Sequence, residues 1–173
     1  MSTVRGTMRS VEPTSTVEAL AGKYLTFVLG DGEYGLPVRR VREIIKLAPI
    51  TAVPHVAPWI KGVVNLRGKV IPIVDLRVKF NLAAGEENDR TCIIVLETMV
   101  RESLVLTGII VDAVSDVMSV TADQIEEPPH LGGPRSTCVD GLAKVKGAVK
   151  ILLNLDQVCR SDREGGALSP PAA

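Results

Sequence analysis

The sequence predicts a predominantly β protein built from two small barrels of similar design. Runs of valine, isoleucine and leucine, separated by turns with glycine and proline, are typical of strands. A pattern of glycines, aliphatic residues and a capping side chain occurs twice, and its first glycines, Gly62 and Gly141, are 79 residues apart (141 − 62). Aromatic residues make up only 3% of the chain, so aliphatic side chains must build the core.

The first copy of the repeat, residues 60–76, predicts a β-hairpin followed by a short helix over residues 76–80. Two apolar runs flank a turn at Arg67, Gly68 and Lys69, and Gly68 can adopt the positive φ that such turns need. Pro72 lacks an N–H and therefore places the second strand at an edge or a bulge. Asp75 can cap the helix that follows.

The second copy ends at Asn154, an equally good helix cap, which predicts a helix over about residues 155–160. A weaker echo lies upstream, where residues 38–44 resemble residues 111–117. Two copies of one unit indicate two barrels rather than one continuous sheet, and chance matching of common residues is the alternative.

The other elements follow from local composition. Residues 24–29 and 33–38 predict a hairpin around a turn at Asp31 and Gly32. Residues 41–47 predict a strand, with a helical turn as the alternative. Pro58 predicts a short helix through residues 59–61. In the second half, residues 91–98, 103–111 and 114–120 predict strands, and spacing leaves a helix open for the last of these.

The predicted domain covers residues 23–160. Its first barrel takes about residues 23–82, a polar connector residues 83–90, and the second barrel with its closing helix about residues 91–160. Residues 1–22 are expected to be flexible, with a short helix possible near residues 17–21. Residues 161–173 are expected to form a disordered tail.

Composition limits the classes of function. Lysine plus arginine and aspartate plus glutamate number 20 each, so the net charge is zero, whereas nucleic-acid binders usually carry a basic surplus. Three widely spaced cysteines, Cys92, Cys138 and Cys159, indicate reduced thiols in the cytoplasm. No apolar run approaches the length of a membrane-spanning helix, and the first residues lack the apolar region of a signal peptide.

The sequence contains no convincing catalytic, cofactor or metal site. His55 and His130 each adjoin a proline in a loop, without Cys or Glu at metal-ligand spacing. Asp112 and Asp116 could pair as carboxylates, but the echo of this stretch places Arg39 and Glu43 there. A binding protein is therefore the favoured class, ahead of a small β-barrel nucleic-acid binder and an enzyme.

Three stretches of the chain resemble the CheW family of bacterial chemotaxis coupling proteins. They are IKGVVNLRG with IPIVDL at residues 60–76, LGDGEYGLPV with VREI at residues 29–44, and GIIVDAVSDV at residues 108–117. The resemblance covers about residues 23–158, with the motifs in family order.

This resemblance implies two intertwined five-stranded, SH3-like barrels with short helices. It implies a non-enzymatic adaptor that joins chemoreceptor tips to the regulatory domain of the histidine kinase CheA, in the cytoplasm at the inner face of the membrane, without nucleic acid or cofactor. An alternative output is surface motility or another chemotaxis-like pathway. The implied receptor-binding residues are Glu43, Asn65, Leu66 and Arg67. The implied kinase-binding residues are Leu25, Val38 and Val41.

Overall fold

The computed structural model describes residues 18–83, 85, 87–100, 102–128 and 138–158. Within these residues the chain forms eleven strands, one short α-helix after the fifth strand, two 3-10 turns, and helical backbone at residues 18–20 and 155–158. In chain order they are β1 (Gly22–Leu29), β2 (Gly32–Pro37), a 3-10 turn (Val38–Arg40), β3 (Val41–Lys46), β4 (Ile60–Leu66), β5 (Lys69–Asp75), α1 (Leu76–Lys79), β6 (Cys92–Val100), β7 (Ser103–Val111), β8 (Ala113–Val120), a 3-10 turn (Ala122–Gln124), β9 (Ile125–Glu126), β10 (Val139–Val145) and β11 (Ala148–Leu153).

The strands form two sheets, as the predicted all-β fold requires. Sheet A has the order β8-β1-β2-β11-β10-β9, and sheet B has the order β3-β6-β7-β5-β4. Sheet B is five-stranded, and sheet A adds the two-residue strand β9 to five others. Each sheet takes strands from both halves of the chain, which confirms the intertwined arrangement.

The contiguous boundaries predicted for the two barrels, residues 23–82 and 91–160, do not match this strand pairing. Hairpin β1–β2 lies in sheet A beside β8 and β11, and hairpin β6–β7 lies in sheet B beside β3 and β5. The chain crosses from sheet A to sheet B at Val38–Arg40 and returns at Asp112. Because of these crossings, the first hairpin of each half of the chain pairs with strands from the other half.

Three apolar clusters hold the sheets together. One fills the interior of sheet A, one fills the interior of sheet B, and the largest lies between the sheets and includes Phe27 and Leu96, both fully buried. The central cluster contains strands from both sheets, so burial of its aliphatic surface stabilises their association.

The two hairpins of the repeat have the same geometry. Arg67 and Lys146 both have φ of 53°, and each is followed by a glycine with positive φ, the pair of conformations that a tight two-residue hairpin turn uses. Both hairpins also contain a register shift at the matching glycine, Gly62 or Gly141. The repeat predicted from the sequence is therefore structural.

The helix caps and the ambiguous strands follow mostly as predicted. The Asp75 carboxylate accepts a hydrogen bond from the Arg77 N–H at 3.0 Å at the start of α1. Residues 41–46 and 113–120 are strands, because each pairs along the edge of a hairpin from the other half. The short helix predicted from Pro58 is wrong. Residues 58–59 form a turn, and Ile60, the first residue of β4, already pairs with Val74 of β5.

Several predictions fall on residues outside the described ranges. They are residues 1–17 of the flexible start predicted for residues 1–22, the tail at residues 161–173 and the last two residues of the closing helix. The remainder of the predicted flexible start has regular structure, since residues 18–20 are helical and Gly22 begins β1. Among the described residues, no helix is long and apolar enough to cross a membrane.

Candidate functional site

The four residues predicted to bind a receptor lie together where sheet B closes on itself. Glu43 belongs to the edge strand β3, whereas Asn65, Leu66 and Arg67 lie at the end of β4, the opposite edge. The sheet curls so that these edges meet. Arg67 Nη1 and Nη2 donate to Glu43 Oε1 and Oε2 at 2.6 and 2.9 Å, a bidentate pair.

The turn presents Arg67 to solvent. The Asn65 side-chain oxygen accepts a hydrogen bond from the Gly68 N–H at 2.9 Å, which fixes the turn around Arg67. Leu66 is half-buried against the interior cluster of sheet B. The Arg67 side chain remains 72% exposed, so a partner can reach it while the backbone beneath stays fixed.

The pairing changes the titration of both groups. The hydrogen bond from Arg67 holds the pKa of the Glu43 carboxyl below its ordinary value, aided by the positive charges of Arg67 and Arg42 and opposed by desolvation. The same hydrogen bond raises the pKa of the Arg67 guanidinium. The site therefore stays fully ionised in neutral solution.

Replacing Arg67 with glutamine is expected to raise the pKa of Glu43, because the bidentate donor and its charge are lost. A carboxyl pKa that is depressed in the folded state gives a stabilising contribution that is lost as pH falls through that pKa. Carboxyl carbon NMR shifts followed through an acid titration measure the change. Identical Glu43 titration in both proteins would show that the pair does not form in solution.

The matching position in sheet A lacks this pair. Lys146 occupies the turn position of Arg67, and Asp116 occupies the strand position of Glu43 by the 73-residue echo (116 − 43). The Asp116 carboxylate instead accepts a hydrogen bond from the Val117 N–H at 2.7 Å. Among the described ion pairs, the bidentate closure is thus a feature of sheet B alone.

The three predicted kinase-binding residues differ in burial. Leu25 is only 3% exposed and packs in the central cluster, so its side chain belongs to the core and not to a surface. Its assignment as a contact residue is corrected accordingly, because a folded chain cannot offer it to a partner. Val38 and Val41 are half-buried at and after the crossing between sheets.

A more exposed apolar surface lies at the mouth of the sheet B barrel, which we call the apolar mouth. Val70 on β5 is 67% exposed and Leu104 on β7 is 65% exposed, across a groove of about 420 Å³. The groove exists because the pairing of these parallel strands begins only at Ile73 and Gly108. Met99, opposite Leu104 on β6, extends the surface.

Sequence reasoning missed the apolar mouth. Val70 and Leu104 sit in aliphatic runs that look like core, and only the tertiary pairing of β5 and β7, which begins at Ile73 and Gly108, shows that both side chains stay exposed. An isolated exposed aliphatic residue needs no explanation, but a cluster beside a groove is typical of a protein contact.

The described residues do not assemble a metal cluster from histidine, cysteine, aspartate or glutamate side chains. The two carboxylates that might have paired, those of Asp112 and Asp116, contact different groups. Asp112 pairs with Arg77 and accepts a hydrogen bond from the Gly30 N–H at 2.8 Å, whereas Asp116 bonds its own strand.

Comparisons with known proteins agree with each other. The model of the CheW-like domain matches residues 23–163. The chemotaxis protein CheW of Klebsiella aerogenes is 37% identical, over 86% of this chain and 90% of that protein, and that of Bacillus subtilis is 36% identical, over 90% and 97%. Protein FrzA of Myxococcus xanthus is 24% identical over 82% and 88%. The crystal structure of the scaffolding protein TtCheW from Thermoanaerobacter tengcongensis superposes with a TM-score of 0.71 at 32% identity, over 80% of this chain and 92% of that one.

Proposed function

The chain belongs to the CheW-like family, and on that premise we propose that it is a non-enzymatic adaptor coupling chemoreceptors to the histidine kinase CheA in bacterial chemotaxis. The relatives named as chemotaxis proteins and the structurally similar scaffolding protein support this role. The observation on this chain that carries it is the exposed end of the Glu43–Arg67 ion pair in the same sheet as a second, apolar surface that Leu104 and Met99 present on β7 and β6. An adaptor needs two such surfaces so that two partners can bind together.

The receptor contact is proposed for Glu43, Asn65, Leu66 and Arg67. The Arg67 side chain is 72% exposed and the Glu43 side chain 29%, so Arg67 keeps donors that are free to reach a second acceptor while Glu43 holds it in place. Half-buried Leu66, which precedes Arg67 at the end of β4, adds apolar surface to the site. A receptor helix with an acidic or carbonyl acceptor near an apolar stripe is complementary to this combination.

The kinase contact is proposed for the apolar mouth together with Val38 and Val41. Val41 pairs with Leu96 on β6, the strand that carries Met99 to the mouth, so the two sets lie along one ribbon. The family resemblance implies a barrel-to-barrel contact with the kinase regulatory domain. A ribbon that extends an apolar row beyond its own barrel is suited to such a contact.

Leu104→Asp is expected to weaken binding to the CheA regulatory domain by at least about ten-fold, because a charge would be desolvated in an apolar contact. The side chain is 65% exposed, so the free energy of unfolding should be nearly unchanged. Isothermal titration calorimetry measures the binding. Val149→Asp is the matched control, since Val149 is 52% exposed on sheet A. Equal weakening by both variants, or by neither, would remove the apolar mouth from the kinase contact.

The family resemblance leaves a chemotaxis-like pathway with another output, such as surface motility, as the second candidate. Deleting the gene in its host and measuring swimming and surface motility separately distinguishes the two. Loss of swimming chemotaxis alone supports the first candidate, and loss of surface motility alone supports the second. The adaptor is proposed to act in the cytoplasm at receptor arrays, where fluorescence of a tagged chain should concentrate in receptor clusters.

A further inference from the structure

Most ion pairs of the described residues join the two halves of the chain. Half 1 comprises residues 22–79 and half 2 comprises residues 92–158. Four pairs cross between the halves, and two, Glu43–Arg67 and Glu126–Lys144, lie within one half. The crossing pairs are Arg40–Asp156, Arg42–Glu97, Arg77–Asp112 and Lys150–Glu33.

The Arg77–Asp112 ion pair links half 1 to half 2 where the chain crosses from sheet B to sheet A. Strands β5 and β7 run parallel and end side by side, so α1 after β5 lies next to Asp112 after β7. The Asp112 carboxylate contacts Arg77 through one oxygen and accepts the Gly30 N–H through the other. Both side chains are about one-fifth exposed, at 18% and 21%.

The Arg40–Asp156 ion pair links the two halves in the same way where the chain crosses from sheet A to sheet B. Strands β11 and β2 run parallel, and Asp156 follows β11 whereas Arg40 follows β2. Arg40 also donates from Nε to the Glu97 carbonyl at 2.9 Å, and Asp156 accepts the Met99 N–H at 3.1 Å. The side chains are 21% and 34% exposed.

The two ion pairs lie at comparable places, with the signs of the charges exchanged between the halves. Arg77 and Asp156 are 79 residues apart (156 − 77), the spacing of the repeat, whereas Asp112 matches Arg39 by the 73-residue echo (112 − 39), and Arg40 follows Arg39 at its crossing. Half 1 supplies both arginines, and half 2 supplies both aspartates. If two copies of half 1 paired in this arrangement, Arg40 would meet Arg77, and two copies of half 2 would bring Asp112 against Asp156.

A third ion pair between the halves also disfavours pairing of like halves. Lys150 on β11 lies opposite Glu33 on β2, and its side chain is only 13% exposed. By the repeat spacings, 79 and 73 residues, the matching positions in the other half hold Ile71 and Leu106. Pairing of like halves would therefore leave each of these charges against an aliphatic side chain.

We propose that this charge pattern makes half 1 recognise half 2 and reject a second copy of itself. The halves share one topology, so burial of apolar surface alone would favour like and unlike pairs similarly. Partly buried like charges are costly and partly buried opposite charges are tolerated, so the ion pairs supply the discrimination. The discrimination prevents copies crowded at one site from joining through matching hairpins.

The test uses the full chain with a specific protease site inserted between Glu87 and Asn88, in the exposed connector. After cleavage of the folded protein, the halves are diluted and their association is measured by size-exclusion chromatography with light scattering. Wild-type halves should remain a 1:1 complex without like-half dimers. Arg40→Asp with Arg77→Asp should weaken association at least about 100-fold, and adding Asp112→Arg with Asp156→Arg should recover at least about ten-fold.

Two further variants keep the test decisive. Arg40→Gln with Arg77→Gln removes attraction without adding repulsion and should weaken association at least about five-fold even if the reversed variant is not recovered folded. Lys144→Glu disrupts a pair within half 2 and should leave association unchanged. Like-half dimers in the wild type, no weakening by the glutamine variant, or no recovery on reversing all four charges would each overturn the proposal.

Discussion

Replacing Arg67 with glutamate is expected to weaken receptor binding by at least ~2 kcal/mol, as for a charged contact broken at an interface core. The substitution places a second carboxylate beside Glu43, so it removes the donor and also repels the strand that faces it. Because the Arg67 side chain is 72% exposed, the free energy of unfolding should change much less than the binding free energy. Binding of a receptor cytoplasmic fragment, measured by calorimetry, gives the effect.

The repeat offers a matched control for this experiment. Lys146→Glu changes the equivalent turn in sheet A, which has the same φ of 53°, and should cost under ~1 kcal/mol of receptor binding. The combined reversal Glu43→Arg with Arg67→Glu restores the pair with exchanged positions. If the pair only shapes the turn, the reversal restores binding; if Arg67 contacts the receptor, binding stays weak. Wild-type affinity in Arg67→Glu would remove Arg67 from the site.

Gly62→Ala is expected to lower the free energy of unfolding by at least ~3 kcal/mol, through combined backbone strain and steric overlap. Gly62 has a φ of +149°, and a Cβ there would lie 2.1 Å from the Thr51 carbonyl oxygen. Thr51 and Val63 exchange two backbone hydrogen bonds of 2.9 Å, which tie the segment after β3 to the edge strand β4. A methyl group would force these strands apart where the sheet B barrel closes.

Gly141 provides the comparison, because it holds the same place in the second copy. A Cβ at Gly141 would lie 3.1 Å from the Glu126 carbonyl oxygen, and its φ lies outside the left-handed range. Gly141→Ala should therefore cost only about 1 kcal/mol. Urea unfolding followed by circular dichroism measures both. Equal losses at the two glycines would show that the contact with Thr51 does not set the requirement.

Local features of the fold could be predicted because local chemistry decides them. The turn at Arg67 and Gly68 follows from the positive φ that the hairpin needs, and the cap at Asp75 from its side-chain acceptor. The pairing of sheets could not be predicted from the same information. Hairpins β1–β2 and β6–β7 are both apolar and equivalent by the repeat, so the sequence pattern fits either sheet.

Among the site residues, too, some features could be predicted from the sequence and others could not. The family motif predicted Glu43 and Arg67 together, although they are distant in sequence, and the curled sheet B joins them. Leu25 and Leu104 were indistinguishable as aliphatic strand residues, yet one is 3% and the other 65% exposed. Their difference depends on how far each strand extends past its neighbours, a property of the tertiary pairing.

Co-sedimentation of the CheA regulatory domain with receptor-containing vesicles tests the adaptor role most directly. We expect the kinase domain to sediment with the vesicles only when this chain is added. In the presence of Arg67→Glu the kinase domain should stay in the supernatant, still bound to the variant chain. If the wild-type chain does not increase the sedimented kinase domain, the proposed coupling of receptor to kinase is contradicted.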